Sequence, residues 1–353
     1  EILSITSLIG TYGFNLLCIS FFASPAIFIL RKTKKDIAIC VVFLIMPFLF
    51  YLYGSSYKER FNSSDTINYE YKVRAIGSNI SLDRFYSNID PVSVINELID
   101  ISQPIKDDKI IFVWPEGILP DISQEELIEF KWLFDDVFSK NHLLFIGINS
   151  QKTNKEKIDY YNSLSIYDHN LEILNFYKKI NLVPFGEFLP FENILKSFGL
   201  RSLTNNYQSF SKGNERKIIE IKEKNFSLKI LPLICYEIIY SGRLFKNSDF
   251  DMIINISEDG WFGQSIGPYQ HFTKSIFRAN YVLYDSGIVD EWKYAYVLGY
   301  SGYYEFADCT VLESQFDVGS SLACGRSSLL LSFSLLKNNP EGAGFLACLG
   351  GVF

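Results

Sequence analysis

The stretch from Leu231 to Tyr240 reads LPLICYEIIY, an apolar run followed by Cys235, Tyr236 and Glu237. The run predicts a buried strand over Phe226–Ile234. Because sheet enzymes collect catalytic groups in the loops at strand ends, this position favours Cys235 as a nucleophile. A cysteine in an apolar run is more often an inert small hydrophobic residue, and that alternative stays open for the residue taken alone.

Two further stretches place ionisable side chains directly after apolar strands. VWPEG carries Glu116 behind a proline that stiffens the turn, and YKKINLVPFGEFLP carries Lys179 and Glu187. A cation such as Lys179 would lower the pKa of a nearby thiol, and Glu116 could take the proton of that thiol. Taken singly, Lys179 could be a solvated surface lysine and Glu116 a charge at a helix entrance. The order of the three stretches therefore carries the argument.

Apolar strands alternate with helical patterns from about Thr66, which predicts an α/β domain with helices packed on a sheet. Ser123 and Glu126 form a capping-box pattern, so we expect an amphipathic helix from there to about Phe138. Another helix is predicted to start near Tyr269. The predicted strands are Ile110–Val113, Leu143–Asn149, Tyr160–Tyr167, Leu171–Tyr177, Phe226–Ile234 and Met252–Ile256.

The composition limits the class of protein. The chain has 353 residues, 48% of them hydrophobic, with 33 basic and 40 acidic side chains and a net charge of -7. Disorder as the main state requires lower hydrophobicity and is excluded, and nucleic-acid binding is disfavoured because it requires a basic surface. Six Cys without a CxxC pair and only three His argue against a disulfide scaffold and a zinc site. We therefore expect no metal and no nucleic-acid partner.

Two long uncharged runs lie near the start of the sequence, from Ile2 to Leu30 and from Ile37 to Ser56. Both reach the roughly 20 residues that a helix needs to cross a bilayer, so residues 1–56 are predicted to form two transmembrane helices. The alternatives are two buried core helices or a cleavable signal peptide. The basic stretch between the runs, RKTKKD, is expected on the cytoplasmic side. The domain that follows would then lie on the far face, which is the periplasm in a bacterium.

Five motifs, in this order, resemble those of the apolipoprotein N-acyltransferases, the membrane members of the nitrilase (carbon–nitrogen hydrolase) superfamily. The motifs are WPE, K-x-N-L-V-P-F-G-E-x-L-P, I-C-Y-E, N-x-S-x-D-x-W-F-G and G-P-x-Q-H-F, and the resemblance covers residues 2–279. It implies a nitrilase-like αββα sandwich over residues 66–279, preceded by the two transmembrane helices. It also implies a bacterial inner membrane protein whose catalytic domain lies on the periplasmic face.

The resemblance also assigns functional residues. The catalytic triad maps onto Glu116, Lys179 and Cys235, and Lys178 is the rival for the lysine position. His271 begins a helix and is expected to pack or cap. Supporting residues that the family needs are matched by Glu187, Tyr236 and Glu237. Aromatic side chains expected to face substrate or lipid are Trp114, Phe188, Trp261 and Phe262.

The implied reaction moves an acyl chain from a phospholipid, through a thioester on Cys235, to the N-terminal amine of a diacylglyceryl-cysteine apolipoprotein. Glu116 would act as general base and Lys179 would stabilise the oxyanion, with no cofactor. The expected partners are the phospholipid donor, the apolipoprotein acceptor and the membrane, and we expect a monomer. Two alternatives stay open: a membrane-tethered amidase that uses the same triad on a C–N bond, and an inactive truncated relic.

The resemblance stops after Ala279, where the composition also changes. Residues 1–279 contain 41 Ile, whereas residues 280–353 contain one Ile and only three basic side chains. The apolar end of the sequence is interrupted by KNNPEG and does not reach the length of a membrane span. We therefore predict that residues 280–353 are an anomalous tail of uncertain fold, from a shifted reading frame or a joined foreign segment. A lineage-specific tail is the alternative, and the anomalous tail would put the activity of this particular chain in question.

Overall fold

The computed structural model describes most of the first 285 residues and three short strands after them. The described residues are 2–30, 33–63, 71–78, 80–87, 89–154, 157–191, 209–223, 226–240, 250–263, 265–285, 294–295, 300–301 and 311–314. The chain divides into a helical unit, Glu1–Ile67 with Phe272–Ala295 and Gly325–Phe353, and a sheet unit, Asn68–His271 with Tyr296–Cys324. The domain limits 1–56, 66–279 and 280–353 stay a prediction.

Two long helices dominate the helical unit. α1 spans Thr6–Leu30 after a 3₁₀ turn, and α2 spans Lys34–Ser63. The start of α2 follows from a reciprocal cap, because the Asp36 N–H donates to Oγ1 of Thr33 while the Thr33 N–H donates to the Asp36 carboxylate. Of the basic stretch between the helices, Arg31 and Lys32 lie outside the described residues.

Both predicted spans are confirmed as helices that are long and apolar enough to cross a membrane. The candidate spans are Ile2–Ile27 and Lys34–Tyr57, and only 22% and 11% of their apolar windows are buried. A core helix of a soluble domain would be mostly buried. The alternative of two buried core helices therefore does not fit these exposures.

The described part of the chain contains twelve strands. They are β1 Lys72–Ile76, β2 Ile110–Val113, β3 Leu119–Ser123, β4 His142–Asn154, β5 Lys157–Tyr167, β6 Ile173–Lys178, β7 Ile219–Glu223, β8 Phe226–Ile234, β9 Met252–Glu258, β10 Tyr294–Ala295, β11 Tyr300–Ser301 and β12 Val311–Ser314.

The sheet unit contains two sheets. The first has the strand order β12-β1-β2-β4-β5-β6, and β3 also pairs with β4. The pairs β1–β2, β2–β4 and β3–β4 are parallel, whereas β4–β5 and β5–β6 are antiparallel. In the second sheet β7 pairs antiparallel with β8, and β9 pairs in parallel with β8 and β11. Glu116 and Cys235 therefore both follow the carboxyl ends of parallel strands.

Helix α3, Pro91–Ser102, packs against the first sheet. Asp90 caps this helix by accepting a hydrogen bond from the Val92 N–H, and Gln103 ends it in the left-handed conformation, with φ +43°. Its buried positions 94, 95, 98 and 99 join the apolar core on one face of the sheet. That spacing is the helical period, so this face of α3 supplies the outer layer of the domain.

The opposite face of the first sheet is buried as well. Val73, Ala75, Ile111, Val113 and Phe145, which alternate with the residues facing α3, are at most 1% exposed. A sheet covered on both faces is an inner layer of a sandwich, and β5 contacts β8 of the second sheet. The predicted layered α/β architecture is therefore confirmed.

Most predicted strands are confirmed, and β2 and β8 have the predicted bounds. The helix predicted from Ser123 to about Phe138 is wrong in form. Ser123 belongs to β3 and pairs with Asn149, so the backbone that the cap would use is in the sheet. The Ser123 N–H does donate to Glu126, but the helical part is a 3₁₀ turn at Leu127–Phe130 followed by the single turn α4, Lys131–Phe134. The helix expected near Tyr269 is α5, Gly267–Asp285.

Candidate active site

Cys235 stands where the backbone leaves β8. Its φ angle is +51°, in the left-handed region that residues other than glycine rarely adopt, and a 3₁₀ turn, Cys235–Ile239, begins at this residue. Ile234, directly before it, is still extended, with φ -126°. A backbone strained in this way costs roughly 1–3 kcal/mol and persists only where the surroundings hold it. The predicted nucleophile therefore lies on a sharp, strained turn.

Glu116 follows β2 and is 7% exposed. Its Oε1 accepts hydrogen bonds from Nζ of Lys179 at 3.0 Å and from Nδ2 of Asn162, on β5, at 2.7 Å. Its Oε2 accepts from the backbone N–H of Glu258, the last residue of β9, at 3.0 Å. Groups from both sheets therefore fix both oxygens of this carboxylate.

The turn that carries Glu116 crosses β4 at Gly147. A Cβ built on Gly147 would lie 2.2 Å from the carbonyl oxygen of Pro115 and 2.6 Å from Cα of Glu116. No side chain fits in that space, so glycine is required for the close approach of the two backbones. The Ile118 N–H then donates to the Gly147 carbonyl at 3.1 Å, which ties the end of the turn to the same strand.

Lys179 follows β6, and its side chain is 1% exposed. Its Nζ lies 3.0 Å from Oε1 of Glu116 and 2.9 Å from Oε1 of Glu187. Asn162 also donates to Oε1 of Glu187, at 2.7 Å, and the Val183 N–H donates to Oε2 of Glu187 at 2.8 Å. One buried network therefore joins the predicted base, the predicted lysine and the predicted supporting glutamate.

Lys178, the rival for the lysine position, contacts an aromatic ring. Its Nζ lies 3.7 Å from the centroid of the Tyr161 ring. The structure thus brings Lys179 to Glu116, and places Lys178 over Tyr161 of the neighbouring strand.

Glu237, fully buried, joins the lysine segment to the end of β8. Its carboxylate accepts from the backbone N–H groups of Ile180, Asn181 and Ile234, each at 3.0 Å. These are the two residues after Lys179 and the residue before Cys235. A single carboxylate therefore links the two segments that carry the lysine and the nucleophile.

Two side chains complete the surroundings of Glu237. Arg216 donates from a guanidinium nitrogen at 2.7 Å, and the Tyr177 hydroxyl donates at 2.9 Å. The Arg216 guanidinium places a positive charge next to this buried carboxylate. Tyr236, the third predicted supporting residue, is half-buried, and its ring lies 5.4 Å from that of Tyr240.

The aromatic residues expected to face lipid differ in position. Trp261 and Phe262 are 51% and 43% exposed, and Phe188 is half-buried, so these three are accessible. The prediction that Trp114 faces substrate or lipid is wrong. Its side chain is fully buried in the core, packs against Phe134 and donates its indole N–H to the Ser102 hydroxyl. Its side chain points into the layer beneath α3, because it continues the inward alternation of β2.

Comparison with known proteins places this site in a family. The sequence model of the family described as carbon–nitrogen hydrolase matches residues 101–279, which include Glu116, Lys179 and Cys235. The chain belongs to the carbon–nitrogen hydrolase family. Its fold is accordingly nitrilase-like, with the two sheets and the outer helix layer described above.

Curated relatives of this carbon–nitrogen hydrolase carry a more specific name. The "Apolipoprotein N-acyltransferase" of Bradyrhizobium diazoefficiens is 29% identical over 289 residues, which cover 77% of this chain and 52% of that protein. The protein of the same name from Rickettsia typhi is 31% identical over 279 residues, covering 77% of this chain and 53% of that protein. The chain thus spans about half the length of these curated relatives.

Burial and charge set the resting state of the carbon–nitrogen hydrolase site. Burial acts to raise the pKa of Glu116, but the Lys179 ammonium and the Asn162 hydrogen bond outweigh it and hold this pKa below its ordinary value. Burial acts to lower the pKa of Lys179, but Glu116 and Glu187 hold that pKa well above its ordinary value. Burial and then the Glu116 charge raise the pKa of Cys235 well above that of an ordinary thiol. The resting site therefore holds a carboxylate, an ammonium and a neutral thiol.

A second buried cluster adjoins Cys235. Oδ1 of Asp259 accepts from the Ser257 hydroxyl at 2.5 Å and lies 2.8 Å from Nδ1 of His271, whose Nε2 lies 3.1 Å from the carbonyl oxygen of Cys235. The donor atoms of Cys235, Asp259 and His271 lie within 4.8 Å of one another, which is the kind of set that binds a divalent cation. Both ring nitrogens of His271 are engaged in these hydrogen bonds, however. We therefore interpret the trio as a hydrogen-bonded cluster.

Several site groups were not singled out from the sequence. Asn162 is a buried amide in strand β5. Asparagine is uncommon in strands, and this is the one local feature of the sequence that points to a functional role for it. The Glu258 N–H gives no sequence signal, because any residue has one. Arg84 forms a buried ion pair with the Glu258 side chain, and Arg216 pairs with Glu237. These contacts join residues far apart in the sequence and depend on the packing of the sheets.

Proposed function

We propose that this chain carries the catalytic site of a membrane-bound acyltransferase, which moves an acyl chain from a phospholipid to the N-terminal amine of a diacylglyceryl-cysteine apolipoprotein. The observation that carries the proposal is the buried network in which Lys179 bridges Glu116 and Glu187 beside Cys235. The name of the curated relatives and the two candidate membrane spans support a lipid substrate.

In the first half-reaction Glu116 takes the proton of the Cys235 thiol while the sulfur attacks the ester carbonyl of the phospholipid. The carboxylate and the neutral thiol of the resting site are the protonation states that this step needs. The C–S bond forms, and the Lys179 ammonium stabilises the oxyanion. The C–O bond to the lysophospholipid then breaks, and Glu116 returns its proton to the leaving alkoxide.

In the second half-reaction the amine of the lipoprotein attacks the thioester carbonyl. Glu116 accepts a proton from the amine, the C–N bond forms, and the C–S bond breaks. The Cys235 thiolate recovers the proton from Glu116, which restores the resting site. Water must be kept from the thioester, and the accessible aromatic side chains of Phe188, Trp261 and Phe262 are candidates for an acyl-binding entrance that does so.

The proposed setting is the bacterial inner membrane, with the catalytic domain on the periplasmic face. The basic stretch RKTKKD between the two helices supports this orientation, since positive loops stay in the cytoplasm. Both proposed substrates are anchored in the outer leaflet of that membrane. We also propose that the chain acts as a monomer.

The test uses the full chain in phospholipid nanodiscs with a labelled acyl chain. We expect the label on Cys235 as a hydroxylamine-sensitive thioester, and its discharge as an amide when a diacylglyceryl lipopeptide is added. Cys235→Ser is the control that should carry no thioester. Absence of any acyl label on Cys235 would overturn the proposal.

The family match itself supports a second candidate, a membrane-tethered amidase that uses the same triad and water as the acceptor. Release of free acid from an amide substrate, without transfer to the lipopeptide, would favour that reading. A third candidate is an inactive relic. It predicts no thioester and no acid release, and Cys235→Ala would then change no activity.

A further inference from the structure

The buried cluster beside Cys235 contacts the peptide group of the nucleophile itself. His271 is 5% exposed and Asp259 is fully buried. Nε2 of His271 lies 3.1 Å from the carbonyl oxygen of Cys235, and Nδ1 lies 2.8 Å from Oδ1 of Asp259. The proposed acyl transfer gives neither residue a part, since Glu116 already serves as the base.

The hydrogen-bond partners determine the protons on His271. A carbonyl oxygen can only accept, so Nε2 carries a proton. The single proton of the Ser257 hydroxyl goes to Oδ1 of Asp259, since that contact is 2.5 Å whereas the one to Nδ1 is 3.5 Å, the limit of a hydrogen bond. Nδ1 faces Oδ1 of Asp259, so His271 lies between the Asp259 carboxyl group and the Cys235 carbonyl.

We propose that His271 is a positioning residue for the reaction at Cys235. Held by Asp259, it donates its Nε2–H to the Cys235 carbonyl and keeps the peptide of the nucleophile in the left-handed conformation. A non-glycine residue at φ +51° relaxes unless its surroundings over-determine it, and a fixed carbonyl removes that freedom. Relaxation would move the thiol relative to Glu116. The inference rests on Cys235 being the nucleophile of the proposed function.

One short segment, Ser257 to Asp259, then fixes both reacting partners. The Glu258 N–H holds the Glu116 carboxylate at 3.0 Å, and Asp259 holds the Cys235 peptide through His271. Glu116 follows a strand of the first sheet and Cys235 follows a strand of the second. The distance between their side chains therefore depends on a segment that contacts both. The last residue of β9 and the residue after it supply this segment, because Glu258 contacts Glu116 and Asp259 contacts His271.

The test compares two double variants, both of which carry Asp259→Asn and so lack that buried carboxylate. Gln and Leu, the replacements for His271, have similar side-chain volumes. Asp259→Asn with His271→Gln keeps an N–H donor near the Cys235 carbonyl, whereas Asp259→Asn with His271→Leu has none. The full chain in nanodiscs is treated with iodoacetamide at one pH. The rate of alkylation at Cys235 is read by mass spectrometry of the tryptic peptide 230–243, which contains no other cysteine.

We expect the Gln variant to react within about threefold of the wild type and the Leu variant about tenfold more slowly, which is the loss expected for one net hydrogen bond. In acyl transfer the Leu variant should lower kcat and leave the KM for phospholipid unchanged. Equal alkylation rates for the two variants would overturn the proposal. Alkylation does not require acyl transfer, so a failed proposed function leaves this readout intact.

A second measurement reads the proton on Nε2 of His271 in the wild-type chain. The chain has only three His, so ¹⁵N-histidine labelling gives few signals, and His271→Gln identifies the one that belongs to His271. We expect a proton on Nε2 of His271 in the wild type, because this nitrogen faces the Cys235 carbonyl oxygen. An Nε2 without a proton would overturn the proposal.

Discussion

At the scale of single residues, the positive charge of Lys179 offsets the negative charges of two carboxylates that are almost fully buried. Glu116 and Glu187 approach its Nζ at 3.0 and 2.9 Å, and Asn162 donates to the same two oxygens. Without the ammonium the carboxylates would repel each other, and one of them would take up a proton. A protonated Glu116 could no longer accept a proton from Cys235. The lysine therefore maintains the base in addition to its proposed contact with the oxyanion.

Lys179→Ala should slow thioester formation on Cys235 by about 10²–10³-fold, the usual effect of removing one group that stabilises the transition state. The matched control is Lys178→Ala, the adjacent lysine whose Nζ lies over the Tyr161 ring. It should react within about twofold of the wild type. Single-turnover transfer from a labelled phospholipid measures both. Equal losses in the two variants would contradict the assignment of Lys179.

The pH dependence should follow Glu116. Because the pKa of this folded-state carboxyl is lowered, the group stabilises the fold above its ordinary pKa, and that contribution is lost as the pH falls through the lowered value. Thioester formation should likewise persist through the ordinary glutamate range and fail only as the pH falls through the lowered pKa of Glu116. In Lys179→Ala the acid midpoint should move up, because the main charge that lowers this pKa is gone. A midpoint that does not move, measured from rate against pH, would contradict the argument.

At the scale of elements, the site depends on strand ends that are tied to one another. Glu237 accepts hydrogen bonds from Ile180, Asn181 and Ile234, so it holds the segment after β6 against the end of β8. Gly147 lets the turn after β2 lie on β4. Both residues therefore determine the positions of the segments that carry Glu116, Lys179 and Cys235.

Glu237→Gln should destabilise the fold by about 2–4 kcal/mol, because the amide leaves the Arg216 charge without its buried partner. The control is Glu220→Gln, which breaks the exposed ion pair with Lys222 and should change the free energy of unfolding by no more than about 0.5 kcal/mol. Denaturant unfolding of the full chain in detergent compares them. Equal midpoints for the two variants would contradict the role given to Glu237.

Gly147→Ala should displace the turn that carries Glu116, because the new Cβ would lie 2.2 Å from the Pro115 carbonyl oxygen. We expect thioester formation to fall about tenfold or more and the fold to lose about 1–3 kcal/mol. Gly186→Ala is the matched control, since the nearest atom to its Cβ would be 3.5 Å away, an ordinary contact. A normal rate in Gly147→Ala would show that the turn tolerates the shift.

The elements also separate what sequence can predict from what it cannot. Glu116 and Cys235 are predictable as candidates because each lies within three residues of the end of an apolar strand, which is a local pattern. Asn162 reaches Glu116 from 46 residues away and the Glu258 N–H reaches it from 142, so only the pairing of strands and sheets brings them together. The prediction for Trp114 is wrong because the sequence at the end of a strand does not show which face of the sheet the last side chains lie on.

At the scale of the whole molecule, residues 1–279 and 280–353 differ in kind. The family match ends at Ala279, and the alignment with each of the two curated relatives covers 77% of this chain. Isoleucine falls from 41 residues before that point to one after it. A change of composition at the same residue as the end of a family match supports our proposal that the tail comes from a shifted reading frame or a joined foreign segment.

The coding DNA tests this proposal directly. If the frame shifts near codon 280, another frame should continue Arg278-Ala279 with an acidic residue two positions on, an N-x-G turn and a terminal apolar helix of roughly 20 residues. Isoleucine should also return to the frequency of residues 1–279, since the same base composition would encode both parts. A chain rebuilt in that frame should unfold at a higher temperature than the present one, because its last strands would then belong to the same fold as residues 1–279. If no frame gives these features, the shifted reading frame is ruled out as the origin of the tail.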